Sequence, residues 1–148
     1  MTRHDRGGRR RIAEGLAERE EQFMEIEAVQ SEALPRALGP YSHVVRAGDL
    51  FFIAGQSGID PATGEVPPGG FEAEARMAFA NLTGVLRAAG LDLDRVVKTT
   101  VFLTSSDDFG AMNALYAEAF PAAPPVRSTP IVSLPRSLRI SIEAIAAR

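Results

Sequence analysis

The chain has no cysteine, no tryptophan and only two histidines, His4 and His43, among its 148 residues. Without cysteine there are no disulfides and no thiolate chemistry. A structural zinc site takes four Cys or His ligands and a catalytic one about three protein ligands, so two histidines argue against a zinc enzyme. A carboxylate-bound metal stays open on this count. No apolar run approaches the roughly 18 residues that span a bilayer, and the N-terminus lacks the apolar stretch of a secretory signal. A cytoplasmic protein without a membrane partner is expected. The formal net charge of −3 offers no general attraction to nucleic acid. One basic cluster exists, Arg9, Arg10 and Arg11, but acidic residues follow at once, and no nucleic-acid partner is expected.

What is present reads as one soluble domain with 45% hydrophobic residues. Residues 1–23 are dense in charge and poor in large apolar groups, so they bury little surface. They read as a charged extension ahead of a single domain over residues 24–148. Met24 stands just before the first strand-like stretch, and an alternative reading makes it the start of translation.

Residues 25–29 alternate polar and apolar, as in a half-buried strand. Residues 43–46 and 50–56 read as two strands joined by Ala47-Gly48-Asp49, a hairpin signal. Residues 71–89 carry helical periodicity in Phe71, Ala75, Ala78, Phe79, Leu82, Val85 and Leu86, with Gly90 as a stop. Residues 96–103 are rich in β-branched residues and read as a strand. Ser106, followed by Asp107 and Asp108, suits the start of a second helix with Phe109, Met112, Leu115, Tyr116 and Ala119 on one face. Residues 126–132 read as a strand interrupted by Pro130, hence edge or bulged, and residues 138–146 as the last strand. The order β-β-β-α-β-α-β-β predicts an α+β fold, a mixed sheet with one face covered by two helices. Phe79, Phe102, Phe109 and Phe120 are expected in the core.

Several segments, in series, resemble the Rid (YjgF-like) family of imine deaminases. They are Leu38-Gly39-Pro40-Tyr41-Ser42, Ile53-Ala54-Gly55-Gln56-Ser57-Gly58 with Asp60-Pro61-Ala62-Thr63-Gly64, and Val96-Val97-Lys98-Thr99-Thr100-Val101-Phe102-Leu103. Asn113-Ala114-Leu115-Tyr116, Pro125-Val126-Arg127-Ser128, Leu134-Pro135 and Ile142-Glu143-Ala144-Ile145-Ala146 follow in family order. The resemblance implies a chorismate-mutase-like α+β fold. It implies a homotrimer with a barrel-like core and active sites in the clefts between subunits. It also implies hydrolysis of reactive 2-imino acids to 2-keto acids and ammonia, without a cofactor.

Arg127 is the foremost candidate. A 2-imino acid carries a carboxylate beside its C=N carbon, and a planar guanidinium holds it with paired N–H donors as lysine cannot. Arg127 stands between Pro125 and Pro130, where an arginine has no evident packing purpose, and it matches the family's carboxylate-binding arginine. The plainer alternative is a solvated edge-strand charge. The family's last strand reads apolar-Glu-apolar-Glu-Ala, and the resemblance implies that a glutamate there holds the attacking water. Here Ser141 replaces the first glutamate, and Glu143 either takes over as the catalytic carboxylate or is the family's second, structural glutamate. Both face the same way, roughly 7 Å apart along the strand. A serine can hold a water but is a poor general base. From Arg127 to Leu134-Pro135 the chain is one residue shorter than the common pattern, and Thr129 falls where relatives line the pocket. Tyr41 covers the pocket mouth or packs on its own loop. Asn113 lines the pocket or faces solvent from its helix. Gly55 allows a ligand to approach the backbone or serves a bulge. His43 invites an acid–base reading that the family pattern does not favour. A non-catalytic carboxylate-binding module, or a hydrolase of a different enamine or carbamate, are the alternative functions.

Overall fold

The computed structural model describes residues 23–148. The expected charged extension therefore lies outside the described residues, except Phe23, which is exposed. Six strands form one sheet: β1 (Ile26–Ala28), β2 (Val44–Ala47), β3 (Leu50–Ser57), β4 (Val96–Leu103), β5 (Val126–Ser128) and β6 (Ile140–Ala147). Among the described residues two α-helices, α1 (Gly70–Ala88) and α2 (Phe109–Ala119), follow β3 and β4. The strand order across the sheet is β1-β2-β3-β6-β4-β5. All neighbours run antiparallel except β4 and β5, which are joined through α2 and pair in parallel.

The sheet has two unlike faces because its strands alternate with period two. On β6, Ile140, Ile142, Ala144 and Ala146 are buried against the helices, whereas Ser141, Glu143 and Ile145 point the other way. On β3, Phe51 and Ile53 join the core and Phe52 stays 43% exposed. Among the described residues no helix covers this second face. Helix α1 buries Phe71, Ala75, Ala78, Phe79, Leu82, Val85 and Leu86, the stripe its periodicity predicts. Leu82 is fully buried, so Leu82→Ala would cost about 2–5 kcal/mol in transfer and cavity terms. The helix ends in a Schellman motif: Gly90 takes φ +79°, its N–H bonds the Arg87 carbonyl, and Leu91 N–H reaches the Leu86 carbonyl at 2.9 Å.

Three expectations change. The second helix begins one short turn later than its polar residues suggest. Residues Ser106–Asp108 form a 3₁₀ turn, capped by Ser105, whose hydroxyl accepts the Asp107 N–H. The strand expected over 126–132 ends at Ser128, because Pro130 has no N–H to give the ladder; contact with β4 resumes only at Ile131, opposite Leu103. Phe79 and Phe120 are core, but Phe109 is 41% exposed and Phe102 lies partly exposed.

Candidate functional site

The expected site residues fall in separate cavities of the single chain. Arg127 and Asn113 share one cavity of about 440 Å³ with Tyr116, Phe120, Pro124 and Pro125. β4 and β5 pair so that Arg127 stands opposite Thr99, and α2 crosses above. The Arg127 guanidinium carbon lies 4.6 Å from the centroid of the Tyr116 ring and 5.6 Å from that of Phe109, both within cation–π range. Its Nη1 is 3.8 Å from the Met112 sulfur. Among the described residues no carboxylate pairs with it. Tyr116 is itself held on three sides. Its hydroxyl lies 2.7 Å from the hydroxyl of Thr99, which is fully buried. Its ring meets Phe79 edge-on at 6.1 Å and Phe120 at 4.7 Å. Burial pushes the Tyr116 hydroxyl above tyrosine's ordinary pKa, while the Thr99 hydrogen bond and the Arg127 charge pull the other way. Asn113, one turn before Tyr116 on α2, is half-buried beside Arg127.

Tyr41, Gly55 and Ser141 share a second cavity, of about 400 Å³, with Arg136 among its other walls. The pairing of β3 with β6 is irregular between Ile53 and Gln56, and Gly55 sits in that irregularity. A Cβ on Gly55 would fall 2.6 Å from the Ser141 hydroxyl oxygen, so the glycine makes room for Ser141. Both readings of Gly55 hold in part, since it serves the bulge and also lines the cavity. Tyr41 is 48% exposed and its hydroxyl accepts the Leu38 N–H at 3.2 Å, so it packs on its own loop while keeping its own proton to donate. Its ring meets His43 edge-on at 5.7 Å. His43 leans on Gln56, Nδ1 to Nε2 at 3.4 Å, and its Nε2 is buried without a hydrogen-bond partner. The cavity's far wall is strained backbone: Arg136 and Ser137 both take left-handed φ, 60° and 55°, which non-glycine residues rarely adopt.

Glu143 is in neither cavity. It projects from the uncovered sheet face into a depression of about 310 Å³ with Lys98 and Thr100, and is exposed. Thr129 lies half-buried just beyond β5 and lines none of these three cavities.

Residues 31–148 match the family described as Endoribonuclease L-PSP, the YjgF/Rid family. The chain belongs to this family. Among its Rid relatives, a mouse 2-iminobutanoate/2-iminopropanoate deaminase is 42% identical over 121 residues, covering 81% of this chain and 90% of that one. The solved Escherichia coli YjgF gene product superposes with a TM-score of 0.75 at 39% identity, over 82% of this chain and 98% of that one. Escherichia coli TdcF, solved with bound serine, superposes with a TM-score of 0.75 at 35% identity, over 82% and 98%. The mixed sheet with two helices is thus the Rid fold. Three residues around Arg127 escaped the sequence reading as parts of a site. Tyr116 and Phe109 read as the apolar face of α2 and Thr99 as an ordinary strand residue. The one available signal was the spacing of Asn113 and Tyr116, which puts them on the same side of a helix.

Proposed function

We propose that this Rid protein hydrolyses 2-imino acids to 2-keto acids and ammonia, at a site completed between copies of the chain in a homotrimer. The observation that carries the reading is Arg127. It is half-buried against aromatic rings, without a carboxylate partner among the described residues, so its donors face a cavity unspent. A substrate carboxylate is the group this fork fits. The deaminase name of the mouse relative and the serine held by TdcF agree with an amino-acid-like ligand. Water adds to the imine carbon, the nitrogen takes a proton, and collapse of the carbinolamine expels ammonia. Ser141 and Tyr41 are the groups assigned to holding the water and passing a proton. The separation of Arg127 from Tyr41, Gly55 and Ser141 within one chain, together with the uncovered sheet face bearing Phe52, supports the intersubunit arrangement. The family description mentions an endoribonuclease; a net charge of −3 and one arginine in an aromatic cavity favour a small carboxylate over a polyanion.

A second reading rests on Ser141. With serine where the family pattern has glutamate, the site could bind keto acids without useful turnover. Coupling the purified chain to a threonine dehydratase, with semicarbazide trapping free imine, separates the two. Keto-acid formation faster than without the protein, and lost in Arg127→Ala, is expected. Keto-acid binding by calorimetry without any acceleration would establish the binding module instead.

A further inference from the structure

We infer that Tyr116, locked by Thr99, is the positioning residue that holds the Arg127 guanidinium aligned for a carboxylate while leaving its N–H donors free. The inference rests on the reading of Arg127 as the carboxylate anchor. A buried arginine is usually steadied by an acidic partner, and such a partner consumes donors and cancels charge. Here the steadying is done from the faces. Tyr116 lies 4.6 Å from the guanidinium carbon and Phe109 5.6 Å away. Neither ring accepts the in-plane N–H groups that a carboxylate needs, and among the described residues the only polar contact from the fork is 3.8 Å to the Met112 sulfur, a weak acceptor.

A shelf of this kind works only if it does not itself swing. The Tyr116 hydroxyl is tied to Thr99, and Thr99 is the cross-strand partner of Arg127. Strand β4 thereby fixes the ring from α2, and the ring fixes the side chain from β5. Phe79 and Phe120 close the remaining directions. Thr99 is fully buried and would pack equally well as valine, so its hydroxyl has a hydrogen-bonding role that packing does not explain. Asn113 lines the same cavity.

The test is calorimetric binding of 2-oxobutanoate to the full chain and to Tyr116→Phe, Tyr116→Leu and Thr99→Val, with melting temperature and oligomeric state recorded for each. Tyr116→Phe keeps the ring and should bind within about threefold of the parent. Tyr116→Leu should weaken binding at least tenfold, and Thr99→Val about threefold. In the coupled deaminase assay the same losses should appear in KM, with kcat little changed. A folded Tyr116→Leu protein that binds as the parent does would overturn the inference. Should Tyr116→Leu not fold, unchanged binding by Thr99→Val together with a lowered melting temperature would overturn it, since the hydroxyl pair would then be structural only. A parent protein that binds no keto acid would instead bring down the reading of Arg127 itself.

Discussion

The two halves of the candidate site are built in opposite ways. Around Arg127 the contacts are mainly aromatic and carried on regular elements, with β4, β5 and α2 each supplying one side. Around Ser141 the walls come from the turn bearing Tyr41, a bulge at Gly55 and a turn with two left-handed residues, and Tyr41 is nearly half exposed. The first half suits a task that never changes, holding a carboxylate. The second suits a task that varies with substrate, since loops accept replacement without disturbing the core. It is also the half that holds Ser141, where the family resemblance leads one to expect glutamate.

That contrast can be broken in several places. Arg127→Ala would remove the two charge-assisted hydrogen bonds proposed to the substrate carboxylate, worth about 1.5–3 kcal/mol each, so kcat/KM should fall roughly 10²–10⁴-fold without a change in oligomeric state; a fall below tenfold would mean the rigid half is not the anchor. Ser141→Glu places a carboxylate at the position assigned to holding the water and should raise kcat by about 10²-fold, the low end of general-base assistance. An unchanged kcat would assign the base elsewhere. Gly55→Ala drives a methyl against the Ser141 oxygen 2.6 Å away. A loss of about 1–3 kcal/mol is expected, recovered largely by adding Ser141→Gly, and read by denaturant titration of the single and double variants. The smallest effect is one of pH. Because the Tyr116 pKa is raised in the folded chain, its contribution to stability is complete below tyrosine's ordinary value of 10.0 and is lost as pH rises through the folded value. The melting temperature should decline in strongly alkaline solution, less steeply in Tyr116→Phe.

Much of the fold was legible because local and global preferences agree. Residues 96–103 form β4 as their β-branched residues predict, and α1 buries the stripe its spacing predicts. The short β5 was not, since whether a chain stays in a ladder past Ser128 depends on Pro130 and on where β4 ends. Arg127 was legible as a charge without a packing purpose. Tyr116 was hidden, because a tyrosine in an apolar helical stripe is read as core, and its two decisive neighbours, Thr99 and Arg127, come from strands 17 residues before it and 11 after it. Ser141 was visible as a substitution, but its contact with Gly55 exists only across the sheet.

One feature near the start of β6 bears on how the site can move. The Arg139 backbone N–H donates to the buried Glu74 carboxylate of α1 at 2.7 Å, and the Arg139 guanidinium grips Asp108, just ahead of α2, at 2.7 and 3.0 Å. Arg139 precedes Ser141 by two residues. The strand that carries Ser141 is therefore bolted to both helices, including the one that supplies the shelf for Arg127. Within the described residues the two halves are thus tied together through Arg139, so in the proposed composite cleft opening and closing would come from how neighbouring chains seat against each other.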